Sequence, residues 1–142
     1  MFEKDLFKMK LILTVGISAS GKTTWVGEQK HCVNINRDDI RFNIIKPGSN
    51  WSTYKFTKMN EARVTEIELS IATDASKFGE DIIVSNTNLN PKTREFWKKF
   101  AKEHNYEFEI KEFPITLEEA IKRDNLRQNG VGERVIRKQY QQ

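Results

Sequence analysis

The chain has 142 residues, within the usual size of one domain that can bury a hydrophobic core, and its apolar residues are interleaved with charges throughout. Its 24 Lys and Arg against 20 Asp and Glu leave a formal charge of +4, which suits phosphate-rich partners and equally suits plain solubility. The lone Cys32 excludes an internal disulfide, the lack of a Cys/His cluster argues against structural zinc, and no apolar run is long enough to span a bilayer.

The N-terminal stretch MFEKDLFKMKLILTV puts charges before a short apolar segment but runs into a glycine-containing loop instead of a cleavage site. It reads as leading into a first buried strand, Lys10 to Val15, of a cytoplasmic protein. Lys22 to Gln29 follows as a helix, and His31 to Asn36 alternates as a second strand with Cys32 as a half-buried thiol. Pro47, Gly48, Ser49 and Asn50 mark a loop. Thr53 to Phe78 reads as one long amphipathic helix with Met59, Ala62, Ile67, Ile71, Ala75 and Phe78 near a single stripe, stopped by Gly79. Asp81 to Ser85 is the most strand-like stretch. Asn90 as cap and Pro91 at the first helical position start a helix to about His104 that buries Phe96, Trp97 and Phe100. Tyr106 to Phe113 predicts a further strand. Leu117 to Arg127 and Glu133 to Gln142 predict two helices divided by Asn129, Gly130 and Gly132. Alternating strands and helices imply one α/β domain over residues 1–142, a doubly wound parallel sheet with helices on both faces.

Gly16-Ile-Ser-Ala-Ser-Gly-Lys-Thr23 matches G-x-x-x-x-G-K-[ST] in full, between an apolar strand and a helix. Backbone N–H groups from such a loop and the helix start converge on phosphate. Gly16, Ser18, Ala19, Ser20, Gly21, Lys22, Thr23 and Thr24 are the candidate nucleotide cradle, with Lys22 reaching the β/γ-phosphates and Thr23 offering its hydroxyl to Mg2+. Chance would produce the match in roughly one chain of this length in two hundred, so a nucleotide site is the favoured reading over a coincidental turn.

Phosphoryl transfer also needs a group to orient and deprotonate an acceptor, and cations on the transferring group. Asn34-Ile-Asn-Arg37-Asp38-Asp39-Ile-Arg41 ends the second strand, where parallel α/β folds gather their ligands. Asp38 can take an acceptor proton and Arg41 can grip an acceptor phosphate, while a solvated turn with an Asp cap fits the same residues equally well. On a helix Arg123 and Arg127 lie i,i+4 and could close over ATP, or form a salt-bridged surface. Trp51 and Tyr54 border a loop and could stack on a base, or serve the core.

Taken together, these segments resemble the 5′-kinase domain of the T-even phage polynucleotide kinases, within the P-loop kinase superfamily. The likeness rests on the P-loop, NINRDD with Arg41, the S-x-TNLNP segment from Ser85 to Pro91, the FWKKFAKE helix, and Lys122-Arg123 with Arg127, in that order. It implies ATP-dependent, Mg2+-requiring phosphorylation of 5′-hydroxyl ends of DNA or RNA. Lys22 and Thr23 would hold nucleotide and metal, Asp38 would be the general base, and Arg41 would bind the acceptor phosphate. Arg37, Asn86 and Thr87 would lie on the acceptor side, and Arg127 would contact ATP supported by Arg123.

Three departures stand out. Asn86 occupies a position that is acidic in that family, which predicts weaker metal affinity or slower turnover, and a gain on restoring Asp. Ala19 replaces a glycine, a methyl the loop should tolerate. No D-x-D-x-T phosphatase motif is present, so kinase chemistry is the most this chain should carry. Two other readings share the same residues: a P-loop kinase for a small alcohol or nucleoside, and a weakly active nucleotide-dependent nucleic-acid-binding module. Salt-sensitive substrate binding would mark the polynucleotide enzyme. Oligomeric state is open, and a homo-oligomer is compatible.

Overall fold

A computed structural model describes residues 8–128 and 130–142. Residues 1–7 and Asn129, which entered the readings of the N-terminal segment and of the last inter-helical turn, lie outside the described residues.

Strand β1 (Met9–Val15) lies between β3 (Asp81–Val84) and β4 (Tyr106–Glu112), and β2 (Cys32–Ile35) flanks β3, all parallel in the order β2-β3-β1-β4. Leu11 and Leu13 of the central strand are wholly buried and register against Ile82 and Val84 on one side, Phe108 and Ile110 on the other. This central position explains a run too apolar for a half-solvated strand. Helix α1 (Lys22–Glu28) follows the first loop, α2 (Arg37–Ile40) continues into a π-helical turn (Arg41–Ile45), and α3 (Lys58–Lys77) is the long helix. Helices α4 (Pro91–Glu103), α5 (Leu117–Asn125) and α6 (Glu133–Tyr140) complete the chain order. Ala72 and Ala75 of α3, and Trp97, Phe100 and Ala101 of α4, pack with Leu11, Leu13, Ile35, Ile82 and Val84 in the main core. A separate small cluster joins Ile17, Ala120 and Ile136, which ties α5 and α6 to the first loop.

The long helix corrects the sequence expectation. Residues 53–57 are turn and irregular chain, and Thr57 caps the helix by accepting from Asn60 N at 3.1 Å. Met59, Ala62 and Phe78 are exposed, and the buried stripe runs through Val64, Glu68, Ala72 and Ala75. A buried glutamate inside the stripe rotated the true face away from the purely apolar count. Phe96 is likewise exposed at 44 %, while Trp97 and Phe100 are core as expected. Helix α5 ends at Asn125, so Arg127 sits in the following turn and the helical i,i+4 pairing with Arg123 does not form. Asn90 caps α4 through Lys92 N at 2.9 Å, with Pro91 in the first turn, as the sequence predicts.

Candidate active site

The first loop leaves the C-terminal end of β1 at Gly16, where a Cβ would meet Ser20 Oγ at 2.8 Å and Phe113 at 3.0 Å. Space alone therefore demands glycine there. Gly21, with φ of 101°, needs glycine for its left-handed backbone instead. Ala19 also adopts a left-handed φ, 65°, so its methyl is accommodated at a conformational cost and not freely. Lys22 is buried, and its Nζ donates to Gly16 O at 2.8 Å, Ile17 O at 2.7 Å and Ser20 Oγ at 3.4 Å. Burial and then the charge of Arg127 push its ammonium down to about 8, against the pull of Asp38. The negative charge of a phosphate would offset both effects, which fits this cradle to a nucleotide's phosphates. Thr23 and Thr24 begin α1 and are exposed to the cleft. Ser18 N donates to Gln139 Oε1 at 2.8 Å, so α6 is pinned to the loop.

At the end of β2 the cap of α2 is Asn36, which accepts from Asp39 N at 3.0 Å. Asp38 is therefore not the cap. Its Oδ1 accepts from Arg41 Nη1 at 2.9 Å and its Oδ2 from Trp51 Nε1 at 3.2 Å. Arg41 also binds Glu61 through Nε and Nη2, and lies 5.0 Å from the Phe56 ring centroid. Burial pushes the Glu61 carboxyl up, but hydrogen bonds from Arg41 and Arg37 and their charges hold it below the usual range. Burial likewise raises the Tyr54 hydroxyl, which donates to Glu61 Oε2 at 3.1 Å. For Asp39, burial and then the charge of Asp38 raise the carboxyl.

Arg37 turns to α3: its guanidinium binds Glu68, Glu61 and Thr65. Asn86, just past β3, is held at both ends of its amide. Its Oδ1 accepts from Arg37 N at 2.7 Å and its Nδ2 donates to Glu68 Oε2 at 2.9 Å. Thr87 lines the cleft and its carbonyl accepts from Gly16 N at 3.0 Å. Asn88, at φ 50°, knots β1 to β3 by donating to Thr14 O, Val84 O and Asn86 O.

Near the C-terminal end of α5, buried Asp124 accepts from Arg127 Nη2 at 2.6 Å, Val131 N at 2.9 Å and Gly132 N at 2.8 Å. Burial raises this carboxyl, but Arg127's hydrogen bond, those backbone donors and Arg127's charge bring it below the usual range. Arg123 pairs with Glu119 at 3.0 Å and reaches Ala19 O at 3.5 Å.

One cleft of about 880 Å³ is lined by Lys22, Thr23, Asp38, Arg41, Trp51, Asn86, Thr87, Arg123 and Arg127 among others. The loop, the Asp38–Arg41 pair and Arg127 thus line the same cleft, which their separation in sequence does not require. No group of three or more His, Cys, Asp or Glu among the described residues is placed to hold a metal. The hydroxyl of Thr23 suits a cation that is carried by phosphates and keeps most of its waters. No helix among the described residues is long and apolar enough to cross a membrane.

Sequence reasoning missed Glu61, Glu68 and Asp124. The available signal was spacing: Glu61 and Glu68 are seven apart on one helix, and Glu68 interrupts an apolar stripe. Tyr54 is core, which removes it as a stacking surface, whereas Trp51 stays half-buried on the cleft.

A parallel α/β sheet with this loop at the end of its central strand is a P-loop kinase architecture, which binds ATP-type nucleotides. The chain belongs to the AAA domain family AAA_33, whose model matches residues 11–142. It is 32% identical over 146 residues to a protein of Autographa californica nuclear polyhedrosis virus named "Putative bifunctional polynucleotide kinase/RNA ligase". That match takes in 92% of this chain, which spans about a fifth of the viral protein's length (20%). A chain in the structure of the Pnkp1/Rnl/Hen1 RNA repair complex superposes with TM-score 0.77 and 23% identity, over 94% of this chain and 43% of that one. The Mycobacterium tuberculosis APS kinase CysC in complex with AMPPNP and APS shares the fold with TM-score 0.60 and 16% identity, over 84% of this chain and 70% of that one.

Proposed function

We propose that residues 1–142 act as one P-loop kinase domain that transfers the γ-phosphate of ATP to the 5′-hydroxyl of DNA or RNA. The observation that carries this reading is the Asp38–Arg41 pair, held at 2.9 Å in the cleft that Lys22 and Arg127 also line. The name of the viral relative supports a polynucleotide acceptor. Asn36 takes the capping role, which leaves the Asp38 carboxylate for the acceptor; each of its oxygens keeps a lone pair beyond its present partner. Asp38 receives the hydroxyl proton as the oxygen attacks phosphorus, and Arg41 faces the acceptor's first internal phosphate. Lys22 and Arg127 offset the charge that grows on the transferring group; the segment around α5 and α6 that carries Arg127 acts as a lid over ATP, and Arg123 supports Arg127. Thr23 would hold the Mg2+ that accompanies ATP, and that ion would lower the charge of the phosphates. Thr87 and Asn86 border the acceptor path, with Asn86 and Arg37 setting the start of α2.

The test is transfer of labelled γ-phosphate from ATP to a short 5′-hydroxyl oligonucleotide with Mg2+, with small alcohols and nucleosides as rival acceptors. Lys22→Ala and Asp38→Asn should each abolish transfer while the fold persists. Nucleotide binding without transfer to any oligonucleotide would overturn the proposal, and transfer to a nucleoside alone would replace it with the small-molecule kinase.

A further inference from the structure

Trp51 lies outside every motif that the proposed reaction uses, yet it touches that reaction's base. Its indole N–H donates to Asp38 Oδ2 at 3.2 Å, opposite the oxygen that Arg41 holds. Its ring lies 5.1 Å from Phe56 at 32° and 6.4 Å from Phe42 at 69°. Phe42 and Phe56 both pack edge-on against buried Tyr54, whose hydroxyl is anchored on Glu61. The loop that presents Trp51 is itself tied down: Asn50 Oδ1 accepts from Ser52 N at 2.9 Å, and Tyr54 N donates to Asn50 O at 2.9 Å. An indole fixed in this way loses little freedom on binding a flat ligand. Its remaining surface lines the cleft beside Ser49, whose buried hydroxyl has no hydrogen-bond partner among the described residues.

Resting on the polynucleotide kinase reading, we propose that Trp51 defines the acceptor side: its N–H positions Asp38, and its ring is the wall against which the terminal nucleobase packs. The two roles belong to different atoms, so they separate by substitution. Trp51→Phe keeps an aromatic wall and removes the donor. Trp51→Leu removes both. The acceptors are a 5′-hydroxyl oligonucleotide with an ordinary terminal base and the same strand with an abasic 5′ nucleotide.

Trp51→Phe should lower kcat about tenfold with the KM for the ordinary strand within about twofold of wild type, in line with one lost hydrogen bond to a charged group. Trp51→Leu should show the same loss in kcat and also raise the KM for the ordinary strand about tenfold, as loss of a stacked base predicts. The KM for the abasic strand should be unchanged by either substitution, and so should the KM for ATP. A merely structural tryptophan would move both strands and ATP together. Unaltered kcat in Trp51→Phe overturns the positioning role, and equal KM changes for the two strands overturn the wall.

Binding supplies a readout that does not depend on catalysis. Subtracting the fluorescence of Trp51→Phe, which retains Trp25 and Trp97, isolates the Trp51 signal. The ordinary strand should quench that signal and the abasic strand should not. If wild type transfers phosphate to neither strand, the kinase reading falls, and this quenching contrast alone upholds or refutes the wall.

Discussion

Replacing Asn86 by Asp looks, from the sequence, like a simple repair of a missing carboxylate, and the structure turns it into a test of a buried pair. Asn86 Nδ2 donates to Glu68 Oε2 at 2.9 Å, and Glu68 is 5 % exposed. Asn86→Asp would set two carboxylates at that separation. At an effective dielectric of about 20 their repulsion is about 6 kcal/mol. Arg37, already bound to Glu68, screens part of it, which leaves an expected loss of about 2–4 kcal/mol in folding free energy. Adding Glu68→Gln restores an amide–carboxylate pair with donor and acceptor exchanged, and Arg37 can follow the charge. The double variant should therefore return to within about 1 kcal/mol of wild type, a coupling of at least about 2 kcal/mol. Urea unfolding of the four proteins, followed by tryptophan fluorescence, measures this cycle. Any rise in kinase activity from an acid at this position should appear in the double variant and be masked in the single one. An Asn86→Asp protein as stable as wild type, or strictly additive effects, would refute the pairing argument.

Three further outcomes follow from the geometry. Because Lys22 titrates at about 8 in the free protein and phosphate would keep it charged, nucleotide affinity should fall about tenfold from pH 7 to pH 9, as calorimetry in buffers of different ionisation heat would show; Lys22→Arg should flatten the dependence. For the free fold the depressed lysine costs its full penalty below about 8, and stability is regained as pH rises from about 8 towards 10.5, opposite to the pH dependence of nucleotide binding. Asp124→Ala should strand the N–H groups of Val131 and Gly132 and free Arg127, costing about 2–4 kcal/mol, with hydrogen exchange accelerated across α5 and α6 and the KM for ATP raised; unchanged exchange would count against Asp124 as the lid's anchor. Ala19→Gly should raise stability by about 0.5–1 kcal/mol in the same urea assay, since the left-handed backbone no longer opposes a Cβ; a loss would mean the loop relaxes otherwise.

Much of this protein was determined by local rules that sequence states directly. The phosphate loop depends on spacing within eight residues, because one short turn must bring several N–H groups to a common point. The central strand, with Leu11, Leu13 and Thr14 buried, announces itself by a continuous apolar run, and the Asn90-Pro91 pair sets a helix start by chemistry confined to its first turn. The tertiary structure decided everything that rests on groups distant in the chain. On sequence Asp38 fits a helix cap; in the structure Asn36 fills it by accepting from Asp39 N, and a bond from its amide to Ser85 across the sheet holds it there. Glu61 and Glu68 look like ordinary helix-surface charges until α3 crosses Arg37, Arg41 and Asn86, where burial strengthens each pairing and penalises each unpaired charge. Arg127 and Arg123 were expected to share a helix face, but Asp124 draws in the N–H groups of Val131 and Gly132 and ends the helix early. Short-range hydrogen bonding reads from sequence because its partners are covalently near; the charge network of the cleft does not, because its energy exists only once folding has removed water from around it.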